Sequence, residues 1–220
     1  PPALEITPIT EIAITGDEVV GKTLGVESTP VAATGTYQWT IADAVDGSYT
    51  SILGATGATY DLVAADSGKY LKVTITGTDF FSGTVTSDAT GPIANAGQLA
   101  PTGLEGVAPT SFGGSDGKIT GTTALMEYKL STDDDYIVAG EGETAGLPVG
   151  MYDVRYVAIL GYDAGTAALI DVPAFEPIQL TIDAPTLTKS KEYDGDTTAL
   201  VTAGTLSGVV SGEDVTVSAV

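Results

Sequence analysis

The sequence predicts an all-β protein, and three observations lead to this prediction. Alanine, valine, threonine and glycine are abundant, whereas charged stretches that favour helices are absent. Short runs of alternating apolar and polar residues recur and are separated by glycine and proline turn signals. Hydrophobic residues make up 43% of the 220 residues, which is enough to build real cores. We therefore expect several small β-domains with little helix.

Composition excludes several classes of function. The formal net charge is −21 with only 8 basic residues, so the chain repels phosphate backbones and nucleic acid is not an expected partner. Cysteine and histidine are absent, which removes disulfides, Ser-His-Asp and Cys-His catalysis and the usual zinc sites. We interpret the acidic surface as a means of staying soluble, while divalent cations remain possible ligands.

The two ends of the sequence look like cut points. No apolar stretch approaches the roughly 20 residues of a membrane-spanning helix, so membrane insertion is not expected. The opening PPALEIT lacks the basic region and apolar core of a signal peptide, and the chain stops within EDVTVSAV, an alternating strand pattern. We expect a piece of a longer polypeptide, whose neighbouring modules are its first partners.

Two proline-punctuated seams divide the chain. ATGPIANAGQLAPTG covers residues 89–103, and TIDAPTLTKSKEYDG covers residues 181–195; each follows a strand-like run. The predicted domains are residues 1–97, 98–183 and 184–220. The first two have the length of a small β-sandwich, whereas the last is too short to close its own core.

The first domain carries two alternating strands that predict a core. TYQWTIA places Tyr37, Trp39 and Ile41 on one face of a strand. In the run YLKVTIT, the apolar residues Leu71, Val73 and Ile75 alternate with polar ones.

AADSGKYLKV, which opens the second of these strands, contains Asp66, Gly68 and Tyr70. An early tryptophan, Trp39, together with this Asp-x-Gly-x-Tyr corner, resembles the immunoglobulin-like sandwich. The resemblance implies that Asp66 caps the turn, that Gly68 allows a tight backbone and that the Tyr70 hydroxyl bonds nearby backbone. These residues are then fold anchors rather than a binding site. The sequence departs from antibody domains at Lys72, where those domains carry cysteine.

The wider patterns resemble repeats of bacterial surface proteins. Residues 15–93 are similar to their Ig-like repeats. DGKITG, LMEYKLS and LPVGMYDVRYVA, within residues 98–183, resemble fibronectin-like repeats of Gram-positive surface and S-layer-associated proteins, with Tyr152, Val154 and Tyr156 on one strand face. KEYDGDTT resembles the opening half of the YDG repeat of adhesins and surface-layer proteins, named for the tripeptide at residues 193–195.

Two acidic runs are candidate metal ligands. Asp133, Asp134 and Asp135 in STDDDYIV, and Asp194 and Asp196 in YDGDTT, could offer oxygen ligands to calcium. Neither run has the spacing of an EF-hand loop, so solvated turns are the preferred interpretation of both. Calcium at module junctions would rigidify the chain and neutralise its acidic surface. No other cofactor is expected.

The sequence offers residues for two other kinds of chemistry. Tyr49, Phe80, Phe81 and Tyr136 could stack on sugar rings, although core or interface packing is the preferred interpretation. Lysine-to-acid isopeptide bonds stiffen some surface β-domains. The strand-borne amines of Lys72 and Lys129 could supply such a bond, but the sequence places no acid partner for them.

We therefore expect non-catalytic structural or adhesive modules of a large secreted bacterial surface protein: a stalk, an adhesin or a surface-array component. Its partners would be neighbouring modules and other surface proteins or glycans at the cell surface. The alternative is a polysaccharide-binding accessory region of an extracellular glycoside hydrolase. A self-standing hydrolase would need two carboxylates across a cleft, and nothing in the sequence places such a pair.

Overall fold

The computed structural model describes residues 5–187, 192, 195–196, 201–209 and 215–216. The predicted all-β class is confirmed: strands form every regular element of the described chain except one short 3-10 turn, Ala64–Asp66. Two β-sandwiches follow one another along the chain, and a set of short paired strands comes after them.

The first sandwich packs a three-stranded sheet, in the order β2-β3-β6, against a four-stranded sheet, in the order β5-β4-β7-β9. A short parallel pair, β1 with β8, lies at one end. Its strands are β1 (Thr7–Pro8), β2 (Glu11–Thr15), β3 (Thr23–Thr29), β4 (Gly35–Ala42), β5 (Thr50–Ser51), β6 (Thr59–Asp61), β7 (Tyr70–Gly77), β8 (Phe81–Ser82) and β9 (Thr84–Thr86).

The second sandwich repeats the order of strands in these two main sheets. Its sheets have the orders β10-β11-β14 and β13-β12-β15-β16. With the short pair β1 and β8 set aside, the smaller sheet of each sandwich comes from the first, second and fifth strands, which is an immunoglobulin-like and fibronectin-like arrangement. The strands are β10 (Glu105–Val107), β11 (Gly117–Thr122), β12 (Met126–Leu130), β13 (Ile137–Val138), β14 (Gly142–Leu147), β15 (Gly150–Tyr156) and β16 (Ala168–Val172).

The first core forms where the alternation predicted it. Trp39 of β4 and Leu71, Val73 and Ile75 of β7 are fully buried, and β4 pairs antiparallel with β7 over its whole length. The Trp39 indole N–H donates to the Gly57 carbonyl at 3.0 Å. The period of two therefore identified the inward face of both strands.

The second core is built in the same way around β15. Tyr152 and Val154 are buried, and Tyr156 packs partly buried against them, so the predicted face is confirmed. β15 pairs with β12 on one side and with β16 on the other. Ile119 of β11 and Val172 of β16 complete the centre of this core.

Short strands follow the second sandwich: β17 (Thr181–Ile182), β18 (Thr186–Leu187), β19 (Val201–Thr202) and β20 (Leu206–Ser207). β17 pairs with β20, and β18 pairs with β19. The predicted boundary between residues 183 and 184 therefore falls inside this paired unit. Tyr193 and Asp194 of the YDG tripeptide lie outside the described residues. Within the part of the chain that the structure describes, no helix is long and apolar enough to cross a membrane.

Candidate functional site at the junction between the sandwiches

The Asp66 corner lies at the end of the first sandwich that faces the second. Asp66 is only 4% exposed. Its carboxylate accepts hydrogen bonds from the Val63 backbone N–H at 2.9 Å and from the Tyr60 hydroxyl at 3.1 Å. Gly68 adopts φ +74°, and its N–H donates to the Ile93 carbonyl at 2.8 Å. The corner thus closes the turn between β6 and β7.

The tyrosine that forms a hydrogen bond at the Asp66 corner is not Tyr70, the residue that the sequence predicted. Tyr70 opens β7 opposite Ala42, whereas the tyrosine hydroxyl that bonds Asp66 belongs to Tyr60. In the second sandwich the Tyr152 hydroxyl donates to the Pro148 carbonyl at 2.9 Å. The corner in which a tyrosine bonds backbone a few residues upstream is therefore found in the second sandwich.

Tyr60 makes the first sandwich sensitive to alkaline pH. Burial, followed by the Asp66 carboxylate that its hydroxyl bonds, raises the pKa of Tyr60 from 10.0 to about 12. A raised pKa means that the neutral form is favoured by folding, so this stability is present below pH 10 and is lost as pH rises towards 12.

We expect Tyr60→Phe to reduce the loss of stability between pH 9 and pH 12 in urea unfolding, because residue 60 then carries no ionisable group. The loss is reduced rather than abolished, because burial also raises the pKa of Tyr49 and Tyr152. Tyr37→Phe is the matched control. If the free energy of unfolding falls equally with pH for the wild type and for Tyr60→Phe, Tyr60 is not the source of the alkaline sensitivity.

Between the sandwiches, the linker is held by backbone hydrogen bonds. Ala96 forms a parallel bridge with Tyr162, which lies in the connection between β15 and β16. The Ala96 N–H donates to the Gly161 carbonyl at 2.9 Å, and the Asp163 N–H donates back to the Ala96 carbonyl at 3.0 Å. A further bond of 3.1 Å joins the Thr166 N–H to the Gln98 carbonyl. The linker is thus an added strand-like segment of the second sandwich.

Side chains reinforce this arrangement. The Asn95 amide donates to the Asp163 carboxylate at 2.8 Å, and the Asn95 side-chain oxygen accepts from the Ser67 hydroxyl at 2.5 Å. The Gln98 amide donates to the carbonyls of Val157 at 2.8 Å and Asp163 at 2.7 Å. Asn95 therefore bonds the two sandwiches at once, through Ser67 of the first and Asp163 of the second.

Direct packing also joins the two bodies. Tyr162 of the second sandwich packs against the core of the first. Gly161, at φ +79°, lies against Ala64; a Cβ at Gly161 would come within 2.6 Å of the Ala64 Cα and 2.8 Å of its Cβ. Only a residue without a side chain fits this contact, so Gly161 permits the close approach.

The turn that carries Gly161 and Tyr162 has a counterpart in the first sandwich. We call residues 78–81 the first-sandwich turn and residues 159–162 the second-sandwich turn. Each is closed by a bond from its fourth N–H to its first carbonyl, at 3.0 and 2.9 Å. Each also pairs in parallel with the segment that precedes its sandwich, Thr7 with Phe81 and Ala96 with Tyr162. Phe80 therefore occupies the position of Gly161.

The candidate calcium ligands that the structure describes do not belong to a metal-binding cluster. Asp133, Asp134 and Asp135 are exposed in the connection between β12 and β13. Asp194 is outside the described residues, and Asp196 has an interaction partner of its own. No group of three or more acidic residues that could hold a metal occurs among the described residues. Neither the preferred interpretation as solvated turns nor calcium binding is tested by these positions.

Most of the candidate sugar-stacking aromatics have partners. The Lys72 amine lies 4.5 Å from the centre of the Tyr49 ring, and the Arg155 guanidinium lies 3.7 Å from that of Tyr136. Phe81 packs against the first core. Phe80 is 55% exposed, and Phe112, which the sequence did not single out, is exposed as well. These aromatic side chains do not form one flat surface of free ring faces.

The two candidate isopeptide amines are in ordinary polar contacts. Lys72 covers the Tyr49 ring. The Lys129 amine donates to the Asp133 carbonyl and lies 4.0 Å from the Asp153 carboxylate, with both side chains partly in contact with solvent. Arg155 is paired with Glu127 at 2.7 Å beside this contact. Lys129 and Asp153 thus form an ion pair across β12 and β15.

No protein-family model and no curated protein matches the chain. Among solved structures it is similar to the FN1–FN3 domains of chicken CNTN1, with 13% identity, 83% of this chain and 70% of that chain covered, and a TM-score of 0.26. It is also similar to a Ca²⁺-stabilised adhesin that helps an Antarctic bacterium bind ice, with 14% identity, coverage of 80% and 52%, and a TM-score of 0.26. Because these TM-scores are low, the fold assignment rests on the strand order itself.

Proposed function

We propose that this chain is a non-catalytic spacer that holds two β-sandwiches at a fixed mutual orientation, as part of an extracellular bacterial surface protein such as a stalk, an adhesin or an array component. The observation that carries the proposal is the junction: the linker pairs with the second-sandwich turn, and Asn95 bonds both sandwiches. A loosely tethered pair of domains would need none of these contacts, since domain motion is the default for small interfaces.

The buried and engaged aromatics support this proposal. Tyr152 and Trp39 are in the cores, and the Tyr49 and Tyr136 rings are covered by cations. A polysaccharide-binding face would present several free rings side by side, because a sugar stacks on an open aromatic face. The resemblance to surface-protein repeats supports a spacer outside the cell, for which we propose neighbouring modules and surface glycans or proteins as partners.

Two measurements on the full chain test this function. In ¹⁵N relaxation, we expect both sandwiches to report one rotational correlation time, as a single body would. Two distinct correlation times would overturn the spacer. Binding to a panel of cell-wall and plant polysaccharides tests the accessory alternative. We expect no saturable binding, and a saturable isotherm would favour the sugar-binding role.

Whether the acidic run binds calcium is tested separately. With solvated turns at Asp133–Asp135, we expect thermal melts in calcium, magnesium and chelator to give the same Tm after correction for ionic strength. A calcium-specific rise of several degrees would instead establish a site, because a ligand that binds only the folded state raises Tm. Replacing Asp133, Asp134 and Asp135 with Asn would show whether this run supplies it.

A further inference from the structure

We propose that copies of this chain associate end to end, with the apolar tip of the first sandwich of one copy entering an apolar cleft at the junction of the next. The tip consists of Ile6 and Phe80, which are 60% and 55% exposed. The cleft is formed by linker residues and by the second sandwich, so this inference rests on the fixed junction of the proposed function.

Phe80 of the tip lies on the first-sandwich turn, and the equivalent turn of the second sandwich contacts a neighbouring sandwich. The second-sandwich turn makes the observed contact with a neighbouring sandwich, through Gly161 and Tyr162. The first-sandwich turn has the same backbone hydrogen bonds but places Phe80 where the other has Gly161. A phenylalanine cannot approach a backbone as Gly161 does, so a surface that receives this tip must offer an apolar recess.

A recess of this kind exists on the same chain. It is an open cleft of about 390 Å³ lined by Gly97, Gln98, Leu99, Tyr156, Ile159 and Tyr162. Leu99 is 86% exposed, and Leu160 beside the cleft is exposed as well. None of the lining residues is charged. In a chain of net charge −21, a charge-free apolar cleft is where a second copy can approach with the least repulsion.

Tip and cleft cannot meet within one molecule. β7 runs for 8 residues from the corner near the junction to the turn that carries the tip, which places them roughly 26 Å apart at opposite ends of the first sandwich. A contact between unlike surfaces does not close on itself, so it propagates into linear chains. Glu5 and Asp79 flank the tip and Asp163 flanks the cleft, so the association should strengthen as salt screens these charges.

Sedimentation velocity on the full chain tests the proposal. From micromolar to millimolar protein, we expect weight-average mass to rise with concentration and to rise further at high salt. Phe80→Ala should weaken association by about 30-fold or more, as the loss of an aromatic anchor does. Phe112→Ala, at another exposed aromatic, is the matched control and should associate like the wild type.

Mixing two variants, each of which keeps one of the two surfaces, tests whether the tip of one copy binds the cleft of another. Leu99→Asp should weaken association at least as strongly as Phe80→Ala, because it places a charge in the cleft. Mixing Phe80→Ala, which keeps the cleft, with Leu99→Asp, which keeps the tip, should give dimers that grow no further. A wild type that stays monomeric at high salt, or a Phe80→Ala variant that assembles normally, would overturn the proposal. Relaxation of the monomeric Phe80→Ala variant tests the fixed junction independently of self-association.

Discussion

Replacing Gly161 with alanine is expected to uncouple the two sandwiches, while Gly54→Ala leaves them coupled. Both glycines adopt φ +79°, so alanine pays a similar backbone strain of about 1–2 kcal/mol at either position. They differ in their surroundings: the new Cβ meets nothing within 4 Å at Gly54 but meets Ala64 at Gly161. The difference between the two variants therefore isolates the contact between the sandwiches.

Spin labels can read this effect directly, because the chain has no cysteine of its own. Thr36 on β4 and Leu169 on β16 are exposed strand positions, one in each sandwich, that can be replaced by labelled cysteine. Electron–electron resonance should give one narrow distance distribution for the wild type and for Gly54→Ala, and a broad one for Gly161→Ala. A narrow, unchanged distribution in Gly161→Ala would show that the Ala64 contact does not set the orientation.

The second large effect is expected at Asp66. Asp66→Ala removes a buried acceptor and leaves the Val63 N–H and the Tyr60 hydroxyl without their bond. An unsatisfied buried donor costs about 1–3 kcal/mol, so the free energy of unfolding of the first sandwich should fall by at least that amount. For a domain of this size, each kcal/mol lowers Tm by about 4–8 °C.

Trp39 makes the measurement specific to the first sandwich, since it is the only tryptophan in the chain and lies in that core. Unfolding in urea followed by its fluorescence should show the loss for Asp66→Ala. Asp61→Ala is the matched control: Asp61 is exposed and accepts a bond from the Thr23 hydroxyl at 2.6 Å, so the change should stay within about 0.5 kcal/mol. Equal destabilisation by both variants would contradict the assignment of Asp66 as a buried capping acceptor.

The strands and cores could be predicted because their signal is local. The alternation of Leu71, Val73 and Ile75 is a property of consecutive residues, and burial of one sheet face follows from it. The predicted capping role of Asp66 is local as well, because its carboxylate accepts a hydrogen bond from the N–H of Val63, three residues earlier in the chain. The tyrosine of the corner was harder to assign, because Tyr60 and Tyr70 both lie within reach of the same turn in sequence.

The junction could not be predicted, because its contacts join distant residues. Asn95 and Asp163 are separated by 68 positions, and nothing in the local sequence marks them as partners. Gly161 resembles any turn glycine until Ala64 is placed beside it. The linker was expected to be a simple seam from its glycine, alanine and proline content, yet small residues also allow a segment to pair closely with a neighbouring turn.

Residual dipolar couplings of the ¹⁵N-labelled full chain in a dilute aligning medium report directly on whether the junction fixes the orientation of the two sandwiches. We expect a fixed junction, so that one alignment tensor, equal in magnitude and orientation, fits the amides of residues 11–86 and 105–172 together. Two tensors of clearly different magnitude would mean that the sandwiches reorient independently, and would contradict it.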